Sequence, residues 1–302
     1  MKILVSGSSG LLGTNLVKRL SKNHKVFCMS RNDGFDLLDK AKTSMYIKRI
    51  KPEIVYHLAA NAAESRGQVS PVDMTERNLN IFLHVLVPAI NVGVKRFIYT
   101  SSVAVYGDCE LPYREDDLCK PKDVYGVNKL ACEQILKIMA KLHNFEFCIF
   151  RPHNIYGEHQ DMSNPYKNVV ALFMRNIMED RELTMFGGGK MKRAFSYVHD
   201  VVDVLEASLA DRFRNQTVNV GSDIDVDLHH LLEMIEKIAG KKAVIRHLPA
   251  RDQEIYLFLA SHRKLNLLYD YKETPLYEGL KKTWDFINLP NIVRENNEIQ
   301  KR

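Results

Sequence analysis

Tyr125 and Lys129 stand four residues apart in VYGVNKLACEQIL, at the head of an apolar-periodic stretch. On a helix that spacing puts both side chains on one face. A phenol ordinarily keeps its proton to about pH 10, and a neighbouring ammonium favours the phenolate and lowers that value. A fall of about 3 units corresponds to roughly 4 kcal/mol and makes a tyrosine a usable base or acid near neutrality. Taken alone, Tyr-x-x-x-Lys is more often an exposed helical pair, so its surroundings decide. One strand-to-helix connection upstream, FIYTSSVAVYG ends an apolar run in three hydroxyls, Thr100, Ser101 and Ser102. In a parallel sheet, strand carboxyl ends and the loops after them converge on the ligand crevice. Ser102 and Tyr125 are therefore expected to face the same reacting group.

A second motif says what that group is. The apolar run KILVS leads straight into GSSGLLG, with Gly7, Gly10 and Gly13 spaced G-x-x-G-x-x-G before a helical pattern. Glycines at such a turn let backbone N–H groups approach a pyrophosphate at a helix N-terminus, where the dipole favours anions. A three-glycine pattern alone is weak, but between a first strand and first helix it reads as dinucleotide binding. The usual companion is an acid at the end of the second strand, on the adenine ribose. Here that place reads CMSRNDGFD, with Ser30 and Arg31 at the strand end and Asp33 and Asp36 soon after. Arg31 suits a ribose 2′-phosphate and thus NADP. Asp33 or Asp36 suits a free 2′-hydroxyl and thus NAD. Both cofactors stay open at this point.

These motifs need a scaffold, and the chain supplies one. Strand-like runs at 2–6, 25–29, 53–60, 96–101 and 145–150 alternate with helical spacing at 11–21, 40–50, 74–92 and 124–142. Continuous apolar strands in such an alternation predict an α/β fold with a doubly wound parallel Rossmann sheet covered on both faces. After Arg151 the rhythm loosens, and TVNVG (217–221) reads as one more strand of that sheet. The expected division is a cofactor-binding domain over 1–151, with 194–222 returning to it, and a smaller C-terminal α/β substrate lobe over 152–302. GGGK (187–190) is not a P-loop, because no Ser or Thr follows Lys190. With 43 basic and 37 acidic residues the net charge is +6, scattered rather than blocked, so no nucleic-acid partner is expected. Cys28, Cys109, Cys119, Cys132 and Cys148 are dispersed without metal-ligand spacing, which points to reduced thiols and no metal. No stretch resembles a signal peptide or a membrane span, so a soluble cytoplasmic protein is expected.

GSSGLLG, HLAA (57–60), TSSVAVYG, YGVNK and RPHNIYG (151–157) together resemble the extended short-chain dehydrogenase/reductase superfamily. Within it the chain is most similar to the NAD-dependent nucleotide-sugar epimerases of the UDP-glucose 4-epimerase type, over essentially its full length. The resemblance implies a tightly held NAD contacted by Gly7, Gly10, Leu11, Leu12, Gly13, Arg31, Asp36, Leu58, Ala59, Ala60, Asn78, Tyr125, Lys129 and Pro152. It implies Tyr125 as catalytic base, Lys129 as its partner and Ser102 as the catalytic hydroxyl. Thr100 and Ser101 are expected to be strand-end hydrogen bonders. Asn154, Asn168, Val169, Arg193 and Arg251 match positions that hold the nucleotide sugar, together with Ser102. The family usually continues with Gly-Asp after the position of Arg251, where this chain has Asp-Gln-Glu.

The implied reaction is oxidation at C4 of a nucleotide-diphosphate sugar, rotation of the 4-keto sugar, and reduction from the other face. The alternatives on the same scaffold are an NADPH-dependent keto-sugar reductase and a nucleotide-sugar 4-dehydrogenase. Dehydratases of the family carry Asp-Glu, and decarboxylases a Glu, where this chain has Val103 and Ala104, so elimination chemistry lacks its acid and base. A non-catalytic cofactor-binding regulator is disfavoured by the intact Ser102, Tyr125 and Lys129. A homodimer is expected through helices 74–92 and 124–142, whose apolar residues occupy more than one face.

Overall fold

The computed structural model describes residues 1–62, 70–162, 168–249 and 257–289. Six parallel strands form the main sheet: β1 (Lys2–Ser6), β2 (Lys25–Met29), β3 (Ile54–His57), β4 (Arg96–Thr100), β5 (Glu146–Pro152) and β9 (Gln216–Val220), in the order β2-β1-β3-β4-β5-β9. Side chains alternate across each strand, and here they feed two separate cores. Ile3, Val5, Tyr56, Ile98 and Phe150 point to one face, where helix α1 (Leu11–Leu20) and helix α7 (Val198–Ala207) cover them with Leu16, Val201 and Leu205. Leu4, Val55, Phe97, Tyr99 and Ile149 point to the other, under α2 (Lys40–Ile50), α4 (Ile81–Asn91) and α5 (Val124–His143). Each fully buried Leu, Ile or Phe contributes about 1.5–3 kcal/mol. A strand buried on both sides must be apolar throughout, which is why these runs do not alternate with polar residues.

The helices stop where their chemistry says they must. Asp123 caps α5 by accepting from Gly126 N–H at 2.6 Å, and Asn144 ends it in the left-handed region at φ 54°. The stretch expected as one helix over 74–92 is instead three pieces. Short helix α3 (Pro71–Thr75) runs through a π-helical turn at Glu76–Asn80 into α4. The strand read at 53–60 ends at His57, leaving Leu58–Ala60 as loop.

The second lobe is built from shorter pieces. Strand β8 (Lys192–Tyr197) pairs with β6 (Asn154–Tyr156), β10 (Asp225–Asp227) and β12 (Leu257–Phe258), and β7 (Leu183–Phe186) pairs with β11 (Ile245–Leu248). Helices α6 (Val169–Met178), α8 (Leu228–Ala239), α9 (Arg263–Leu268) and α10 (Leu276–Ile287) complete it. The chain then crosses back: β8 belongs to the small sheet, whereas β9 pairs with β5 and closes the edge of the large one.

Candidate active site

The strand order reverses beside β1, with β2 on one side and β3 on the other, and Gly7 follows β1 at that crevice. Gly7 has φ +78°, and a Cβ on it would come 2.7 Å from Ala59 N. A Cβ on Gly13 would collide with the Gly7 carbonyl, so only glycine lets α1 start this close to β1. Gly10 is the N-cap of α1 and no side chain caps that helix, an uncapped helix start of the kind that suits an anion. Asp33 is the acid that lies against the glycine loop. A one-turn 3₁₀ segment, Arg31–Asp33, ends at Gly34 with φ +80° and folds the carboxylate back, where Oδ2 accepts from Ser8 Oγ at 2.6 Å and Ser30 Oγ at 2.5 Å. Arg31 is exposed, and Asp36 is turned to accept from Leu38 N–H at 3.0 Å. Across the crevice, Leu58 N–H donates to Ser6 C=O at 3.0 Å. Buried Asn78 clamps the segment after Ala60 through both the N–H and the C=O of Asn61, each at 3.1 Å. Glycines without room for a Cβ, an uncapped helix start and a carboxylate against the loop fit a dinucleotide.

Ser102 caps the 3₁₀ turn Val103–Val105 by accepting from Ala104 N–H at 3.1 Å, and its side chain is half-buried. Gly126 brings α5 up to that turn, because a Cβ there would stand 2.6 Å from the Ala104 carbonyl oxygen. Tyr125 and Lys129 are both buried on α5. Lys129 Nζ donates to the Thr100 carbonyl at 2.7 Å and lies 5.6 Å from the centre of the Tyr125 ring and 4.9 Å from that of Tyr99. Burial pushes the Lys129 ammonium down to about 8, so it stays charged at neutral pH beside the phenol. Thr100 and Ser101 differ from expectation. Their hydroxyls are buried and have no hydrogen-bond partner among the described residues, because β4 uses its main chain instead, in Lys129 Nζ→Thr100 O and Ser101 N→Phe150 O at 2.7 Å.

Two features went unread in the sequence. Glu133 and Arg151 form a buried two-pronged pair at 2.9 and 2.6 Å, and Arg151 Nη1 also donates to Tyr106 OH at 2.9 Å. This ties the helix of Tyr125 to β5. Tyr125, Lys129 and Glu133 repeat at i, i+4 and i+8 on one helical face, a signal that could have exposed the pair. His57 is the other: it pairs with Ser6 Oγ at 2.8 Å, and burial, then the charge of Lys129, hold it down to about 3, so it is neutral.

The second-lobe residues are more scattered. Pro152 ends β5, and Asn154 is exposed on β6. Asn168 caps α6 by accepting from Val170 N–H at 3.0 Å while donating to Ile155 C=O at 2.7 Å, and Val169 opens that helix. Arg193 is half-buried on β8, where Nη1 donates to Lys192 C=O at 2.8 Å. Arg251 lies outside the described residues.

Comparison with known proteins agrees with this arrangement. The model of the NAD dependent epimerase/dehydratase family matches residues 3–221. UDP-glucose 4-epimerase of Mycolicibacterium smegmatis is 26% identical, over 95% of this chain and 98% of its own. The crystal structure of UDP-glucose 4-epimerase with UDP-glucose from Thermotoga maritima superposes with TM-score 0.88 at 25% identity, covering 95% of this chain and 98% of that one. The UDP-glucose 4-epimerase of Thermus thermophilus in complex with NAD gives TM-score 0.87 at 25% identity, over 95% and 98%. Matched relatives also include a UDP-N-acetyl-alpha-D-glucosaminuronate decarboxylase of Bacillus cytotoxicus and a GDP-mannose 3,5-epimerase of Arabidopsis thaliana, 26% and 29% identical over 82% of this chain. With the fold, the glycine cradle and the Ser-Tyr-Lys set in place, the chain belongs to the NAD dependent epimerase/dehydratase family.

Proposed function

We propose that the chain epimerises a nucleoside-diphosphate sugar at C4 through a transient 4-keto sugar, using NAD. The observation that carries the reading is the turn of Ser102 packed through Ala104 on Tyr125, with Lys129 by the Tyr125 ring and Val103 and Ala104 buried and apolar. Bound NAD supplies the hydride acceptor and donor. Tyr125 takes the proton of the sugar 4-hydroxyl and returns it, and the Lys129 ammonium stabilises the phenolate meanwhile. Ser102 Oγ orients the 4-oxygen. Without a carboxyl at 103 or 104, no group at that place abstracts a proton from the sugar carbon, which separates this chain from dehydratases and decarboxylases. Gly7, Gly10, Gly13, Leu11 and Leu12 bring backbone to the pyrophosphate. Asp33 favours NAD over NADP, since its carboxylate would repel a 2′-phosphate.

The second lobe, with Asn154, Asn168, Val169, Arg193 and Arg251, holds the nucleoside diphosphate, and the UDP-glucose bound by the Thermotoga maritima enzyme favours a UDP-sugar here. A homodimer packs through α4 and α5. Phe82 and Val85 face the core, whereas Val87, Ile138 and Leu142 remain exposed. Five free cysteines favour a reducing, cytoplasmic setting, and among the described residues no helix is long and apolar enough to cross a membrane.

The test is a panel of UDP-, GDP- and dTDP-sugars, with the bound cofactor released and identified. Reversible isomerisation with no net cofactor consumption supports the reading. Stoichiometric NADPH oxidation, or net NADH formation, overturns it in favour of the reductase or the dehydrogenase.

A further inference from the structure

Cys109 and Cys119 bound a loop between the Ser102 turn and the helix of Tyr125, and neither takes part in the proposed reaction. Where the loop leaves and returns, its backbone is zipped. Asp108 N–H donates to Lys120 C=O at 3.3 Å, and Cys109 and Lys120 both donate to Tyr106 C=O, at 3.3 and 3.1 Å. Cys109 Sγ donates to Leu118 C=O at 3.1 Å. The carbonyl oxygen of a trans peptide lies about 2.8 Å from the next Cα, so Cys109 Sγ is within about 6 Å of Cys119 Cα. A disulfide needs the two sulfurs about 2.05 Å apart, so closure takes rotation of both side chains and movement of the turn backbone. Both thiols are free, partly accessible, and packed on one small apolar cluster with Val103, Tyr106 and Tyr113.

The loop has a mechanical position. Tyr113 N–H donates to Leu259 C=O at 2.9 Å, and Tyr113 C=O accepts from Ser261 N–H at 2.8 Å. Glu115 Oε1 accepts from Asn219 N–H at 2.9 Å. The loop is thus a strap from the Ser102 turn to the second-lobe segment at 257–261.

We propose that Cys109 and Cys119 form a reversible disulfide that pins this strap, which makes the loop a thiol–disulfide modification site. The oxidant is a small disulfide such as oxidised glutathione. One cysteine thiolate attacks it, forming a mixed disulfide and releasing one glutathione thiol; the second cysteine then displaces the other. Two protein thiols lose two electrons and two protons, and one glutathione disulfide becomes two thiols. Burial raises both cysteines, so little of either is thiolate at neutral pH and the exchange is slow.

The intact protein is equilibrated with oxidised and reduced glutathione, trapped with iodoacetamide, and mapped by peptide mass. The expected result is the loss of two hydrogen masses, a 109–119 cross-link, and Cys28, Cys132 and Cys148 still alkylatable after unfolding. Tm rises by about 5 °C, and dithiothreitol reverses both changes. Cys109→Ser and Cys119→Ser each abolish the cross-link and the shift, and alkylating the native protein beforehand does so without substitution. A protein that stays fully alkylatable, a glutathione adduct with no cross-link, or a cross-link through another pair overturns the proposal.

Discussion

The two sides of the crevice are built differently. On the sheet side, the proposed machinery is tightly packed: Gly7, Gly13 and Gly126 where no Cβ fits, Lys129 seated on a carbonyl, Tyr125 on a helix held by an ion pair. On the second-lobe side, the residues proposed to hold the sugar are an exposed Asn154 and a half-buried Arg193 on short strands. A buried site is over-determined by its packing and tolerates little change. An exposed one can vary in the sugar it accepts without disturbing the chemistry.

The comparison breaks if removing the phenol does not stop turnover. Tyr125→Phe is expected to lower kcat by about 10³-fold, within the range for general acid–base groups, while nucleotide-sugar Kd stays within about threefold. Rapid-quench turnover and calorimetric titration read the two separately. A parallel loss of affinity would show that the two sides are not independent.

Next in size is the pair beneath the helix. Glu133→Gln leaves Arg151 buried without its counter-ion and is expected to destabilise the fold by about 3–5 kcal/mol in denaturant titration. A change under about 1 kcal/mol would mean the helix of Tyr125 is held by packing alone.

Lys129 gives a pH signature. Its folded value is about 8 against 10.5 for an ordinary lysine. Between those values the unfolded chain holds more protons than the folded one, so this group adds stability as pH rises. Over the same window the ammonium that supports the phenolate is lost, and kcat is expected to fall up to tenfold per unit above about pH 8. Stability and kcat moving in the same direction would remove Lys129 from this role.

What the sequence revealed follows the same divide. Gly7, Gly10, Gly13, Ser102, Tyr125 and Lys129 are legible because local spacing places them: a strand end, a tight turn, one helical face. The return of β9 to the edge of β5 is a long-range pairing whose direct signal is only a short apolar run. Glu133 can be placed on the face of Tyr125 and Lys129 from its spacing, but its partner Arg151 lies on β5, and that pairing of helix with strand is long-range. Asp33 was weighed but not singled out against Asp36, since only the 3₁₀ turn and the left-handed Gly34 swing it back to the loop. Asp33→Asn is expected to weaken NAD binding about tenfold and to narrow the preference against NADP, measured by fluorescence titration of both cofactors. An unchanged NAD Kd would transfer the ribose contact to Asp36.

The smallest expected effect sharpens the comparison most. Asn154 is exposed on β6 beside buried Tyr156 and His153, so its side chain is not needed for packing. Asn154→Ala removes one hydrogen-bonding amide from a wet surface, a contribution of about 0.5–1.5 kcal/mol. The expected outcome is a two- to tenfold rise in KM for the nucleotide sugar, with kcat and Tm unchanged, because a uniform binding contact is lost and no transition-state contact is touched. Steady-state kinetics over the substrate panel measures it. If kcat falls with KM unchanged, Asn154 acts on the reacting sugar, and the exposed side of the crevice shares in the chemistry after all.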